Sequence, residues 1–174
     1  MNEVTFDVKL DENDLFKYNL RQTYRGIGVR IFSIIGVFGL IYIPIYAWEA
    51  VKKGFEPPIQ IYLLFVITFF TINLPLIVKK SSRKMMAKNA QIKQTQHYQI
   101  TEQKIIFGSE NGNGQLTWDK VFEVREDKNF FTIYINKTQA YLIPKRFIDS
   151  PRDIETIRDI VKQSVPSDKQ KLMQ

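Results

Sequence analysis

The sequence predicts an α+β membrane protein, in which a two-helix transmembrane hairpin precedes a small antiparallel β-sheet domain closed by a C-terminal helix. Two uncharged apolar runs, 31–48 and 57–78, contain eighteen and twenty-two residues. From about residue 96 the apolar period changes to two, which is typical of strands. A third alternating stretch lies before the first apolar run, so we expect an N-terminal strand to join the same sheet.

The N-terminal region, 1–27, is predicted to be a cytoplasmic strand followed by an amphipathic helix. Val4, Phe6, Val8 and Leu10 alternate with polar residues, which favours a half-buried strand running from Val4 to Leu10. Asp11 is a suitable N-cap for a helix that reaches about Arg25, with Gly26 at its end.

This first helix has an apolar stripe beside a basic one. The apolar stripe is Phe16, Leu20 and Tyr24; the basic stripe is Lys17, Arg21 and Arg25. Such a pair of stripes suits the surface of an anionic bilayer. Packing of the apolar stripe on the C-terminal domain explains the pattern equally well.

The hairpin is predicted over 28–80, with spans at about 29–48 and 57–78. Eighteen helical residues measure about 27 Å, close to the hydrocarbon thickness of a bilayer. A buried hairpin of a soluble protein is disfavoured, because core helices seldom contain such long uncharged runs. No GxxxG spacing predicts tight pairing of the two spans, since Gly36 and Gly39 are three residues apart. Asn73 is a candidate for a hydrogen bond across the hairpin or to a partner.

Lysine and arginine predict the orientation. The loop, 49–56, has two lysines balanced by two glutamates, whereas both flanks of the hairpin are basic. Positive charge stays on the cytoplasmic side, so we expect a two-span protein of the cell membrane with both termini cytoplasmic. A basic juxtamembrane helix is predicted over 81–95. The candidate contacts to anionic lipid are Lys17, Arg21, Arg25, Lys79, Lys80, Arg83 and Lys84. Setting the topology is a sufficient alternative role for these charges.

The C-terminal domain is predicted over 96–164. Short strands are expected near Tyr98, over 104–107, 121–125, 130–135 and 139–143, and in the stretch ending at Trp118, with a glycine-rich turn over 109–114. Ser150 and Pro151 begin the last helix, which buries Ile154, Ile157 and Val161. We expect the tail, 165–174, to be disordered. The order of strands and helix is that of a pleckstrin-homology-like (PH-like) domain, an analogy of fold that carries no function.

Four motifs make the chain similar to a known family. They are HYQIT at 97–101, WDKVFEV at 118–124, NFFTIYI at 129–135 and AYLIPKRF at 140–147. With the two preceding spans, they resemble the YcxB-like family of small bacterial membrane proteins. The resemblance implies a membrane-anchored cytoplasmic domain with a fold like bacterial PH modules. It implies no activity, because the family has no established one.

Composition excludes several kinds of chemistry. The 174 residues include no cysteine and one histidine, His97, so cysteine-ligated and multi-histidine metal sites are excluded. Carboxylates at 119, 123, 126 and 127 are expected to form a solvated edge, because they lack calcium-loop spacing. We therefore expect no enzyme, no metal and no cofactor. Most of the +7 net charge lies around the hairpin, which argues against a nucleic-acid partner.

The sequence thus predicts a binding or regulatory module that contacts the bilayer and either a protein partner or lipid. Trp118, Lys145 and Arg146 are the candidate partner surface. Two alternatives remain open at this point. One is a protective, immunity-type protein against membrane-active peptides, and the other is an accessory subunit of a transporter or membrane enzyme complex.

Overall fold

The computed structural model describes residues 3–110 and 112–173. The chain divides into two compact units. The helical unit is Asp11–Asn89, and the strand-rich unit combines Met1–Leu10 with Ala90–Gln174. The strand-rich unit thus contains both ends of the chain, as the sequence predicted when it placed the N-terminal strand in the C-terminal sheet.

The helical unit begins with α1, Glu12–Arg25. Its N-terminus is closed by a reciprocal pair of hydrogen bonds. The Asp14 amide donates to the Asp11 carboxylate (2.8 Å), and the Asp11 amide donates to the Asp14 carboxylate (3.1 Å). These bonds satisfy two amides that a helix start leaves without partners. The predicted Asp11 cap and Gly26 terminus are both confirmed.

The hairpin consists of α2, Ile27–Lys53, and α3, Ile59–Lys88. α2 ends at Gly54, whose φ of +66° is left-handed and therefore suits glycine. α3 continues through the basic segment to Lys88 and is followed by the short α4, Ala90–Lys93. The basic segment predicted to be helical over 81–95 is thus the last part of α3 as far as Lys88, and α4 follows Asn89. Lys, Arg, Met and Ala favour helix, so nothing before Asn89 interrupts α3.

α2 and α3 approach each other closely at two glycines. A Cβ on Gly39 would lie 2.0 Å from Thr68 Oγ1, and one on Gly36 would lie 2.1 Å from Thr71 Oγ1. The Thr71 hydroxyl also lies 3.4 Å from the Phe32 carbonyl of α2. The spans therefore pack tightly without a GxxxG motif, which the sequence analysis missed. Asn73 bonds to the Phe69 carbonyl of its own helix rather than across the hairpin.

α1 packs against the end of α3. Asn19 donates to the buried Ser82 hydroxyl (2.9 Å), and Leu15 is also buried. The apolar and basic stripes of this helix predicted either the bilayer or the C-terminal domain as its neighbour. The structure adds α3, a neighbour that neither interpretation included.

The first sheet of the strand-rich unit has the order β1-β2-β3-β4 and is antiparallel throughout. Its strands are Glu3–Val8, Gln96–Thr101, Lys104–Ser109 and Gly112–Thr117. β1 pairs with β2, with Val4 opposite Ile100 and Phe6 opposite Tyr98. The turn between β3 and β4 is shorter than predicted, because Gly112 and Gly114 belong to β4. Asn111, which lies in the predicted turn, is outside the described residues.

The second sheet has the order β7-β6-β5-β8. β5 is Glu123–Glu126, β6 is Phe130–Tyr134 and β7 is Ala140–Pro144. The last strand, β8, is Gln170–Lys171 and runs parallel to β5. The described part of the tail is thus a turn and a strand, which corrects the predicted disorder. The reason is a free edge of β5 that an extended segment can pair with.

One helix, α5, Pro151–Ser164, packs into the core that the strands share. Ser150 is its N-cap, as predicted: the Asp153 amide donates to the Ser150 hydroxyl at 3.1 Å. The core includes Val4, Phe6 and Val8 of β1 together with Ile133 of β6 and Ile157 of α5. The alternating row of β1 therefore contributes to the same core as the C-terminal strands, as expected.

Candidate functional site

The hairpin exposes a broad apolar surface. The side chains of Phe32, Ile41, Phe65 and Phe70 are each more than half exposed. In both α2 and α3, only 11% of the most apolar eighteen-residue window is buried. A core helix of a soluble protein would bury such residues, and a monomer seldom exposes so large an apolar area to water. These are two helices long and apolar enough to cross a membrane.

Aromatic side chains concentrate at the loop end of the hairpin. Tyr42 stacks on Phe38, Tyr46 follows it, and Phe55 meets Tyr46 edge-on with ring centroids 5.6 Å apart. Lys52 lies 4.9 Å above the Trp48 ring. Rings with a polar tip or a nearby cation suit the boundary between lipid and water.

Basic side chains concentrate at the opposite end. Because Gly36 faces Thr71 and Gly39 faces Thr68, the start of α2 lies beside the part of α3 near residue 80. α1 precedes α2 and packs on this part of α3. The structure therefore brings the two predicted basic groups to one end of the helical unit. All seven are exposed: Lys17, Arg21, Arg25, Lys79, Lys80, Arg83 and Lys84. We call these seven residues the basic rim.

The local electrostatics of the basic rim differ between its members. Arg83 Nε lies 3.8 Å from the Glu12 carboxylate, a partly exposed pair that contributes little to stability. Arg30, which is not part of the rim, donates to the Tyr24 carbonyl at 2.7 Å and so joins the end of α1 to α2. Basic residues at the C-terminus of α3 also interact favourably with its helix dipole.

The predicted partner surface is wrong at two of its three residues. Trp118 is only 4% exposed, and its indole N–H donates to the Thr101 carbonyl at 2.9 Å. Lys145 is largely buried over the Phe131 ring, 5.1 Å from its centroid, and pairs with Glu126. Both side chains complete the interior of the domain, since a buried indole or ammonium needs a partner. Arg146 is exposed, 4.7 Å above the Phe147 ring.

Glu126 is the centre of a buried ionic cluster that the sequence analysis missed. Its side chain has no exposed surface and accepts hydrogen bonds from Arg158 (2.6 Å), Lys145 and the Met173 amide (3.0 Å). Burial by itself raises the pKa of Glu126, but the hydrogen bonds from Arg158 and Lys145 outweigh it and hold the pKa below its usual range. No periodicity signals this cluster, because its members lie on separate elements.

The other carboxylates near Trp118 have separate roles. Glu123 is paired with Arg125 at 2.7 Å and Lys171 at 2.8 Å; burial opposes ionisation, yet these bonds lower its pKa. A hydrogen bond from Thr117 lowers the pKa of Asp119. Asp127 accepts the amides of Asn129 and Phe130 in a turn. Within 3–110 and 112–173, no three His, Asp or Glu side chains come together as a metal site would need.

His97 lies on the exposed side of the first sheet. It is opposite Asp7 in the register of β1 and β2 and contacts its carboxylate. Gln99, which is opposite Thr5, donates diagonally to Glu3, with 2.7 Å between its amide nitrogen and the carboxylate. This row of cross-strand polar pairs fixes the register of β1 on its exposed face.

Comparison with known proteins relates part of the strand-rich unit to a family. Residues 100–161, from the end of β2 into α5, match the family model described as YcxB-like protein. These residues are similar to a YcxB-like domain. A curated relative, the uncharacterized protein YcxB of Bacillus subtilis (strain 168), is 24% identical over 109 residues. That match covers 63% of this chain and 59% of the relative's length. No solved structure matches this protein. The resemblance found in the strand motifs is thereby confirmed.

Proposed function

We propose that this YcxB-like protein is a membrane-anchored, non-catalytic binding or regulatory protein. Its hairpin inserts in the cell membrane, and its strand-rich domain contacts a protein partner or lipid on the cytoplasmic side. The observation that carries the proposal is the exposed apolar surface of α2 and α3. Contact between so many apolar side chains and water is unfavourable in free energy. Lipid provides the missing apolar contacts.

The dimensions of the hairpin support insertion. α2 has 27 residues and α3 has 30. At about 1.5 Å per residue, either helix exceeds the hydrocarbon thickness of roughly 30 Å, so the basic end of α3 projects into the headgroups or beyond. The aromatic rings then lie at one boundary and the basic rim at the other.

Charge supports the orientation. The basic rim and Arg30 lie at the end of the hairpin that is opposite the loop, where α2 begins and α3 ends. At the loop end, Lys53 is neutralised by Glu49 at 2.8 Å. Positive charge is retained on the cytoplasmic side, so we propose that the loop is external and that both termini are cytoplasmic.

The order of elements supports a PH-like fold for the domain. A four-stranded antiparallel sheet is followed by the antiparallel strands β5, β6 and β7, and then by a helix that packs into the shared core. This is the order of elements in PH modules. The likeness is one of fold order, so the binding role rests on the site and not on the fold.

The state of the polar residues supports a non-catalytic role. Glu123 and Glu126 are both engaged in buried or half-buried ion pairs, and His97 pairs with Asp7 on an exposed strand. Many catalytic sites bring a nucleophile, a base and an orienting group together around a site for substrate. These residues instead have structural partners.

Thiol labelling tests the proposal directly, because the chain contains no native cysteine. A cysteine at Lys53 should react with a membrane-impermeant reagent in whole cells, whereas one at Ser109 should react only after the cells are opened. Labelling at Ser109 alone would reverse the orientation. Equal labelling of both in intact cells, or recovery of the protein in the soluble fraction, would overturn the membrane anchor itself.

A further inference from the structure

Strand β5 is paired to different extents on its two sides. β6 pairs with it at four positions, from Glu123 opposite Tyr134 to Glu126 opposite Phe131. β8 pairs with it at only two, Val124 with Gln170 and Arg125 with Lys171, in the parallel sense. The tail thus covers a strand edge that is otherwise open for pairing.

The tail makes further contacts, through side chains and one backbone amide, beyond this short ladder. Lys171 Nζ lies 2.8 Å from the Glu123 carboxylate, and the Met173 amide donates to Glu126 at 3.0 Å. Leu172, between them, packs against the apolar core. Gln170 donates to the Val165 carbonyl, which joins the tail to the end of α5. Together these contacts have the form of a peptide ligand on a sheet edge: main-chain pairing with side-chain pockets.

The groups that hold the tail have other partners besides it. Glu123 is also bound by Arg125, at 2.7 and 2.8 Å, and Glu126 is also bound by Arg158 and Lys145. Departure of the tail therefore leaves neither carboxylate as an isolated charge. The β5 edge therefore keeps its arrangement when the tail leaves. Residues 170–173 are few enough for a partner segment to replace them there.

We propose that the β5 edge is a docking site for an extended segment of a partner protein, and that residues 170–173 occupy it in cis. The ligand runs parallel to β5. Its four residues are polar, basic, apolar and unrestricted, in the order of Gln170, Lys171, Leu172 and Met173. Its basic side chain meets Glu123, its apolar side chain meets the core, and the next amide meets Glu126. This inference rests on the proposed binding function and names the class of partner.

Electrostatics favour a basic peptide over other ligands. Glu123 and Glu126 line the edge, and the basic groups around them are already paired with these carboxylates. The Glu123 carboxylate also accepts the basic side chain of the tail, at 2.8 Å from Lys171 Nζ, so a ligand with a basic residue at this position reproduces an observed contact. A lysine or arginine on the ligand replaces Lys171.

The test uses the full chain in detergent micelles and a fluorescent peptide, PSDKQKLM, that copies residues 166–173. A variant of the protein that ends at Pro166 should bind this peptide at least tenfold more tightly than the intact chain, measured by fluorescence anisotropy. A peptide in which glutamate replaces the lysine that corresponds to Lys171 should bind the shortened protein at least tenfold more weakly. Amide exchange at Val124 and Ile133 verifies that the second sheet remains folded.

A second variant retains the whole chain. Lys171→Glu combined with Leu172→Ser should release the tail and give the same gain in peptide binding. Lys169→Glu is the matched control, because it changes the tail's charge outside the paired residues and should leave binding unchanged.

A spin label at Met173→Cys, the sole thiol in the chain, reports displacement directly. Its mobility should increase when the peptide binds the intact protein. Equal peptide affinity for intact and released proteins would overturn the proposal, as would no binding to a folded, released protein. Neither result affects the membrane anchor, which the thiol-labelling experiment tests separately.

Discussion

At the scale of single residues, Glu126 is the side chain whose surroundings differ most from its sequence context. It lies in a polar segment, EVRE, beside a turn, and yet its side chain is fully buried between Lys145 and Arg158. A buried carboxylate with two cationic partners constrains the sheet and α5 to one arrangement. Removing one partner leaves the others as uncompensated buried charges, which is far more costly than losing an exposed pair.

We expect Glu126→Gln to lower the free energy of unfolding by about 3–5 kcal/mol at neutral pH, because glutamine keeps the shape but not the charge. Chemical denaturation followed by Trp118 fluorescence, in a Trp48→Phe background, measures the change. Glu155→Gln is the control. It removes an exposed partner of the same Arg158 and should cost less than about 1 kcal/mol. Equal losses for the two variants would contradict the role of burial.

The loss of unfolding free energy caused by Glu126→Gln should depend on pH. Because the folded pKa of Glu126 lies below the unfolded value of 4.5, its contribution is fully present above that pH. It is lost as the pH falls through the folded pKa, where the carboxylate is protonated in both states. The difference between wild type and Glu126→Gln should therefore shrink as the pH drops below 4.5. A difference that stays constant from pH 7 to pH 3 would exclude this linkage.

At the scale of elements, Gly36 and Gly39 of α2 decide how closely α2 and α3 approach each other. Two threonines of α3 occupy the positions that side chains at Gly36 and Gly39 would need. The Thr68 hydroxyl is buried against Gly39 and has no hydrogen-bond partner in the described structure. Close backbone approach, with van der Waals contact along the helices, is the way apolar helices associate where lipid is as apolar as the side chains.

Gly39→Leu should force α2 and α3 apart, because its first side-chain carbon alone would lie 2.0 Å from Thr68 Oγ1. We expect a loss of about 1–3 kcal/mol, the usual cost of overpacking. Thermal unfolding of the helical circular dichroism signal in detergent measures it. Gly28→Leu in the same helix is the control, because a Cβ there meets nothing within 4 Å. If Gly28→Leu is as destabilising as Gly39→Leu, close packing is not the cause.

At the scale of the whole molecule, the basic rim places seven cations at one end of an apolar hairpin. Each cation near an anionic membrane contributes roughly 1 kcal/mol. The same charges also satisfy the requirement for a basic cytoplasmic flank. The two roles, setting the topology and attracting anionic lipid, differ in how they depend on salt. Topology depends on insertion and not on salt, whereas attraction of anionic lipid weakens as salt screens it.

We expect the triple change of Lys17, Arg21 and Arg25 to glutamine to reduce the enrichment of anionic lipid around the reconstituted protein by at least twofold at low salt. The anionic fraction of lipid that copurifies in membrane discs measures this. Enrichment should also decline as salt rises. The matched control replaces three exposed lysines of the strand-rich unit, Lys120, Lys128 and Lys137, with the same loss of charge. Unchanged enrichment in the first variant would leave topology as the role of these residues.

Much of the fold was predictable from local signals in the sequence. The caps at Asp11 and Ser150 and the alternation of β1 depend on neighbouring residues and are confirmed. The two apolar helices depend only on composition and length, and both are present. The candidate site was predictable in part: the basic rim came from charge counts, but Trp118 and Lys145 were assigned to a surface although they are buried.

The sequence by itself determined which segments are helical, which are extended and which end of the hairpin is basic, because these follow from periodicity, capping and charge within a few residues. Only the tertiary structure decided the contacts made over long separations. Glu126 meets Arg158 across 32 positions and the Met173 amide across 47. The Gly39 approach to Thr68 and the pairing of the tail with β5 are of the same kind. Such contacts depend on which edges and faces remain open after the core has formed, and no local pattern specifies that.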